Sequence, residues 1–182
     1  MCLDIRSHFN ARASGRALMA ALAVAAVAHA DGSSKAQLTA YQESPGWAAI
    51  ARGDYAATVS ELGSHGAPFW KDRVAASTNL CVAYVMSHQW ETAHSACDMA
   101  ISLASREPTD TTLFGRRRHD EALALAYSNR AVLKWLEAQP LSAASDMAHA
   151  HDLSPASDFV AHNVVVLGTA KRTAENTVAE AR

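Results

Sequence analysis

Small and apolar residues recur at spacings of three and four through the middle of the chain. The stripe runs through residues 74–88 and again through 90–104, and Ser87, His88 and Gln89 interrupt it between the two segments. Spacings of three and four place side chains on one face of a helix. The pattern therefore predicts two amphipathic helices that pack antiparallel across a tight turn.

The same skeleton occurs twice. Asn79 is followed by Ala93 after 14 residues and by Ala100 after 21, and the copy that begins at Asn129 has alanines at the same two offsets. Small side chains allow helix axes to approach to about 8 Å. The repeated alanines therefore predict a second hairpin, packed like the first.

Both copies resemble the tetratricopeptide repeat, whose pattern combines a Leu, a small residue and a Tyr with a later Ala and a closing Pro. The first copy matches at Leu80, Tyr84 and Ala93, and has Cys97 where Phe is usual. The second copy fits differently: it matches at Tyr127 in the place of the family's Trp, and at Ala131, Ala143, Met147 and Pro155. Arg130 and Lys134 replace the usual Leu and Tyr. The resemblance implies an all-α fold of antiparallel helical hairpins stacked as a short TPR-like α-solenoid.

The spacings divide the chain into segments. A TPR-like helical repeat domain is expected over 44–171, because Gly46, Gly53 and Asn163 fall at the offsets of an earlier and a later copy. Its parts are a degenerate repeat at 44–66, repeats at 74–107 and 123–155, an insertion at 108–122 and a capping helix at 156–171. Outside it we expect a signal peptide at 1–30, an N-terminal linker at 31–43 and a polar tail at 172–182.

Residues 1–30 have the composition of an export signal. Three arginines precede an apolar run at 17–27, and Ala28-His29-Ala30 supplies the small residues that signal peptidase needs. An alanine-rich first helix of the domain and an organelle transit peptide are the alternative interpretations. We expect cleavage near Ala30 and a periplasmic or secreted mature protein, with no transmembrane segment in the mature chain.

Cys81 and Cys97 remain after this cleavage, one on each helix of the first predicted hairpin. In an oxidising compartment the two are candidates for a disulfide. Small buried thiols are the alternative. We expect the two thiols to be free.

No pattern of an enzyme occurs in the chain: it lacks a glycine-rich phosphate loop, HExxH, a nucleophile elbow and CxxC. We therefore expect no catalytic residues, no cofactor and no metal. The nine histidines keep a metal-binding protein or a helical enzyme subunit as the alternative. The formal net charge is −2, and the basic run at 116–119 has no aromatic companions, so nucleic acid is not expected as a partner.

A binding surface is the function that the repeats favour. The first helix of each hairpin lines the concave face in the resembled family, and Asn79, Asn129 and Asn163 share one phase there. An amide side chain can both donate to and accept from an extended backbone. Apolar residues on or near that phase would line the groove: Val82, Met86, Val132 and Trp135. Inter-helix hydrogen bonds for the asparagines, and core packing for the apolar residues, are the alternatives.

We thus expect a non-enzymatic protein–protein interaction scaffold of the cell envelope that binds a partner peptide or protein on its concave helical face. Self-association is a second arrangement, in which the chain's own C-terminal tail or another copy fills the groove. Tyr127-Ser128-Asn129-Arg130 resembles the helix with which some tetratricopeptide proteins bind a ligand carboxylate. The next helix has Phe159 and Asn163 where that subgroup has basic residues, so no carboxylate clamp is expected.

Overall fold

The computed structural model describes residues 4–8, 35–65, 70–107 and 111–168. Within these ranges the chain is almost entirely helical, and the prediction of an all-α fold is confirmed. The elements in chain order are β1 (Asp4–His8), β2 (Gln37–Tyr41), α1 (Trp47–Ala51), α2 (Tyr55–His65), α3 (Trp70–Met86), α4 (Trp90–Arg106), α5 (Leu113–Leu136), α6 (Pro140–Leu153) and α7 (158–168).

Neighbouring helices pack as the spacing predicts. Helix α3 packs against α4 and α5 against α6, while α4 and α5 join the two pairs. The four alanines of the repeated skeleton are all buried: Ala93, Ala100, Ala143 and Ala150. A larger side chain at these sites would separate the helices, since close packing leaves little free volume.

The longest helix begins earlier than its apolar pattern indicates. Helix α5 starts at Leu113, because the Thr112 hydroxyl caps it by accepting a hydrogen bond from the Gly115 N–H over 3.0 Å. The predicted insertion at 108–122 is therefore largely the first turns of α5. These turns leave Leu113 and Phe114 exposed.

The three hairpin turns share one backbone geometry. Gly53, His88 and Ala138 each have a positive φ, of 74°, 56° and 58°. The residue after each donates its N–H to the carbonyl five positions earlier, over 2.9 Å in all three turns. This left-handed residue ends the preceding helix and reverses the chain. The α1–α2 pair thus turns as the two longer hairpins do.

Replacing Ala138 with glycine is expected to stabilise the protein by about 1 kcal/mol, because glycine reaches a positive φ without the steric cost that alanine carries. Urea unfolding measures the difference. The matched control is Ala148→Gly, at an exposed site inside α6, where the same change should cost about 1 kcal/mol. A loss of stability in both variants would contradict the strained turn.

The segment predicted as a linker contains a buried strand. Residues 36–40 are all buried, and Ala36, Leu38 and Ala40 belong to the main hydrophobic cluster, together with Val82 and Val132 of the helices. Strand β1 pairs with β2 in parallel, with Asp4 opposite Gln37. The expected linker at 31–43 is thus corrected over 35–43. Its apolar side chains pack in the main hydrophobic cluster, and its peptide groups form hydrogen bonds with side chains of the helices.

Several predictions from the sequence lie partly or wholly outside the described residues. The cleavage site near Ala30 and the polar tail at 172–182 lie outside the described residues. Within the expected leader, only β1 is described. The expected capping helix at 156–171 corresponds to α7, which is described over 158–168.

Candidate functional site

Three asparagines face the buried strand, each from a different helix. Asn79 lies on α3, Asn129 on α5 and Asn163 on α7, and the three are at most 1 % exposed. We call them the asparagine ladder. Their common phase was predicted from the sequence. It brings all three amides to one side of the helices, where β2 lies.

Each ladder residue binds both backbone groups of one strand residue. Asn129 accepts from the Thr39 N–H through Oδ1 over 2.9 Å and donates through Nδ2 to the Thr39 carbonyl over 2.7 Å. Asn163 binds Gln37 in the same way, over 2.8 Å in both directions. Asn79 binds Tyr41, at 2.8 Å and 3.2 Å. These six hydrogen bonds are all made to peptide groups of β2.

The ends of the strand have further polar partners. The Asn79 amide also donates to the Ser44 hydroxyl over 3.0 Å and to the Pro45 carbonyl over 2.9 Å, which fixes the chain as it turns towards α1. At the other end, His162 Nε2 lies 2.7 Å from the Lys35 carbonyl oxygen. Because a carbonyl can only accept, that nitrogen carries the hydrogen. Odd-numbered residues from 35 to 41 thus all face the helices through their peptide groups.

The apolar residues predicted to line the groove are covered. Val82 and Val132 are fully buried, and Met86 and Trp135 are partly buried against the same cluster. That cluster includes Leu38 and Ala40 of the strand. The open groove expected from the sequence is therefore filled by the chain itself. The segment that fills it is N-terminal, whereas the sequence suggested the C-terminal tail or another copy.

A charged network joins the two hairpins beside this site. Arg130 binds Asp146 with two hydrogen bonds of 2.7 and 2.8 Å and binds Asp98 on α4 over 2.6 Å. Lys134 lies 2.7 Å from the same Asp146 carboxylate, whose side chain is 4 % exposed. Arg130 and Lys134 depart from the tetratricopeptide pattern, which has apolar and aromatic residues there. The departure has a physical reason, since the two cations neutralise a buried acid on α6.

Asp146 makes the stability of the protein depend on pH. Burial alone would raise the pKa of its carboxyl, but the hydrogen bonds from Arg130 and Lys134 outweigh burial and hold the pKa below its ordinary value. The carboxylate therefore stabilises the folded state above the unfolded pKa of about 4, and this contribution is lost as the pH falls through the folded pKa.

Asp146→Asn is expected to cost roughly 2 kcal/mol at pH 7, because the charged acceptor of three hydrogen bonds is lost. Below about pH 4 the difference from the unchanged protein should shrink, since Asp146 is then protonated on unfolding. Urea unfolding across this range measures both effects. Asp152→Asn, on the exposed face of the same helix, is the control and should change stability little. A cost for Asp146→Asn that is the same at pH 3 and pH 7 would contradict the assignment.

The two cysteines form a disulfide between α3 and α4, with their Cα atoms 4.8 Å apart. The expectation of free thiols is therefore wrong. The hairpin brings the two Cα atoms well within the limit of about 7 Å for a bridge. Both half-cystines are buried next to Val82 and Ala93 in the same cluster, so the bridge ties together the helix that carries Asn79 and its partner.

The histidines of the described ranges do not converge. No group of three or more His, Cys, Asp or Glu side chains there is arranged to hold a metal ion. His94 pairs with Glu137 over 2.6 Å and His162 binds the strand, so two of the histidines serve contacts within the fold. In the same ranges, none of the helices has the length and apolar character needed to span a membrane.

Strand β2 is not among the predictions from the sequence, although its residues have a pattern that is typical of a strand. Residues 36–41 alternate between apolar Ala36, Leu38 and Ala40 and the more polar residues between them, and alternation of period two is typical of a strand. Ser44 and His162 were also missed as partners of the strand.

Comparisons of the chain with protein-family models, with curated proteins and with solved structures gave no match.

Proposed function

We propose that the protein is an exported, non-enzymatic interaction scaffold of the cell envelope, built as a TPR-like α-solenoid that binds extended polypeptide. The asparagine ladder carries this proposal. Six hydrogen bonds run from three side chains to the peptide groups of one extended segment. Amides that pair with alternate residues of a strand are suited to main-chain recognition, which supplies affinity without requiring a fixed sequence.

The repeated turn supports the solenoid. Gly53, His88 and Ala138 occupy the same place in three successive hairpins, and stacked units of this kind form a continuous concave face. The three ladder residues come from successive inner helices of that face. In this arrangement the strand runs across the repeats, from α7 through α5 to α3.

Export is supported by two independent features. Residues 1–30 have the arginines, the apolar run and the small residues of a leader. The buried disulfide between Cys81 and Cys97 is typical of oxidising compartments. The mass of the exported protein tests the proposal, because removal of residues 1–30 leaves a chain that begins at Asp31. An exported chain that retains Met1 would contradict the cleavage, and a chain that stays in the cytoplasm would contradict export.

Binding by the ladder can be tested in trans. A protease site inserted after Glu43, an exposed residue in the turn that follows the strand, allows the folded protein to be nicked. A labelled peptide of residues 33–43 should then exchange with the retained segment. Asn129→Ala in the helical part should weaken the peptide by about 30-fold or more, because two backbone groups lose their partner. Equal binding by both nicked proteins would contradict recognition by the ladder.

A further inference from the structure

Strand β2 has two edges, and the asparagine ladder covers only one. The peptide groups of Gln37, Thr39 and Tyr41 face the ladder. Because successive peptide groups of a strand point to opposite sides, those of Leu38 and Ala40 face away from it. The structure places β1 on this outer edge, in parallel register with Ile5 opposite Leu38 and Ser7 opposite Ala40.

The strand on the outer edge belongs to the segment that export would remove. β1 spans Asp4–His8, and the leader is expected to end near Ala30. Its removal would leave the N–H and C=O groups of Leu38 and Ala40 without a strand partner. Both residues are fully buried in the full-length chain, where β1 is in place, and without β1 their peptide groups would have to pair with water or with another chain. The mature chain would thus present an unsatisfied strand edge.

We propose that the outer edge of β2 is a strand-addition site. Residues 4–8 of the leader occupy it in the precursor, and an extended segment of a partner protein occupies it, parallel to β2, once the leader is removed. The proposal rests on the export and cleavage proposed above. It makes the bound strand β2 part of the binding surface, in addition to the helices.

The asparagine ladder holds β2 in the extended conformation that pairing with a second strand requires. Hydrogen bonds at residues 35, 37, 39 and 41 hold β2 extended from the helix side, so little conformational entropy remains to be lost when a second strand pairs. Exposed strand edges readily accept another chain. Affinity would come from main-chain hydrogen bonds.

The parallel register favours a different protein over a second copy. Two copies that paired through the same strand about a two-fold axis would place their strands antiparallel. The register in the structure is parallel. In the described part of the mature chain β2 is the single strand, so a second copy has no other strand there to offer in this orientation.

The test uses the exported, processed protein and a labelled synthetic peptide of residues 3–10 as the probe. Fluorescence anisotropy should show that the peptide binds the processed protein and binds the full-length chain at least about tenfold more weakly, because the full-length chain carries its own β1. Intact mass of the exported protein, measured on the same sample, reports leader removal separately.

Backbone N-methylation of the peptide identifies the edge. In the observed register the N–H groups of Arg6 and His8 face β2, and those of Ile5 and Ser7 face away. N-methyl groups at positions 6 and 8 should abolish binding, whereas the matched peptide methylated at positions 5 and 7 should bind like the unmodified one. The two methylated peptides have identical side chains and differ only in which backbone N–H donors are blocked.

Three outcomes would overturn the proposal. Processed protein that binds both methylated peptides equally would show that the edge is not the site. Processed protein that dimerises in light scattering and ignores the peptide would assign the edge to a second copy. Exported protein that keeps Met1 would mean that the edge never opens, and this result alone also contradicts the proposed removal of the leader. If the leader is removed but the processed protein does not bind the peptide, the strand-addition site is contradicted and the proposed scaffold function is not.

Discussion

Replacing Asn129 with alanine is expected to lower the free energy of unfolding by about 2–5 kcal/mol, because two buried backbone groups of Thr39 lose their partner together. Asn129 is 1 % exposed and Thr39 is 2 % exposed, so water cannot readily replace the amide. The variant creates a cavity at the middle of the strand, between the sites of Asn79 and Asn163. Urea unfolding of the unchanged and variant proteins measures the loss.

The control for this prediction is another amide truncated in the same way. Gln139 is exposed, precedes α6 and makes no side-chain capping bond. Gln139→Ala should therefore change stability by less than about 0.5 kcal/mol. Equal effects of Asn129→Ala and Gln139→Ala would show that the ladder contributes no more than a surface amide, and would contradict the packing described for β2.

Removing the disulfide is expected to have the second largest effect. Cys81 and Cys97 are separated by 16 residues, and a bridge that closes a loop of this size contributes about 3 kcal/mol, chiefly by restricting the unfolded chain. The double variant Cys81→Ala, Cys97→Ala should lose about that amount in urea unfolding under oxidising conditions. The chain should remain helical, since the surrounding cluster stays apolar.

The two single variants provide the control. Each already abolishes the bridge, so each should lose nearly as much as the double variant, and the separate losses should not add. A reducing agent should lower the stability of the unchanged protein and leave the double variant as it was. An unchanged protein that unfolds at the same urea concentration with and without reductant would contradict the disulfide.

The helices and the phase of the ladder could be predicted because both are local in the sequence. Spacings of three and four define the apolar face of a helix, and the positions of Asn79, Asn129 and Asn163 relative to the alanines place them on one side. The all-α fold followed directly from these patterns. What the asparagines bind could not be derived in this way, because Asn163 and Gln37 are 126 residues apart along the chain.

The disulfide and the charged network could also not be predicted from spacings within one repeat. The sequence placed Cys81 and Cys97 on facing helices, but their separation depends on how the hairpin is aligned, which packing decides. Arg130 was visible as a departure from the repeat pattern, whereas its partner Asp98 lies on a helix of the preceding hairpin. Long-range pairs of this kind depend on the stacking of units, and spacing within one unit does not reveal them.

Hydrogen exchange of the strand amides tests the central claim most directly. The N–H groups of Gln37, Thr39 and Tyr41 donate to the asparagine ladder, so they should exchange as slowly as the amides in the middle of α5. In Asn129→Ala the Thr39 amide should lose most of its protection. Strand amides that exchange at the rate of an unstructured peptide would contradict the account, because the ladder would then hold no backbone.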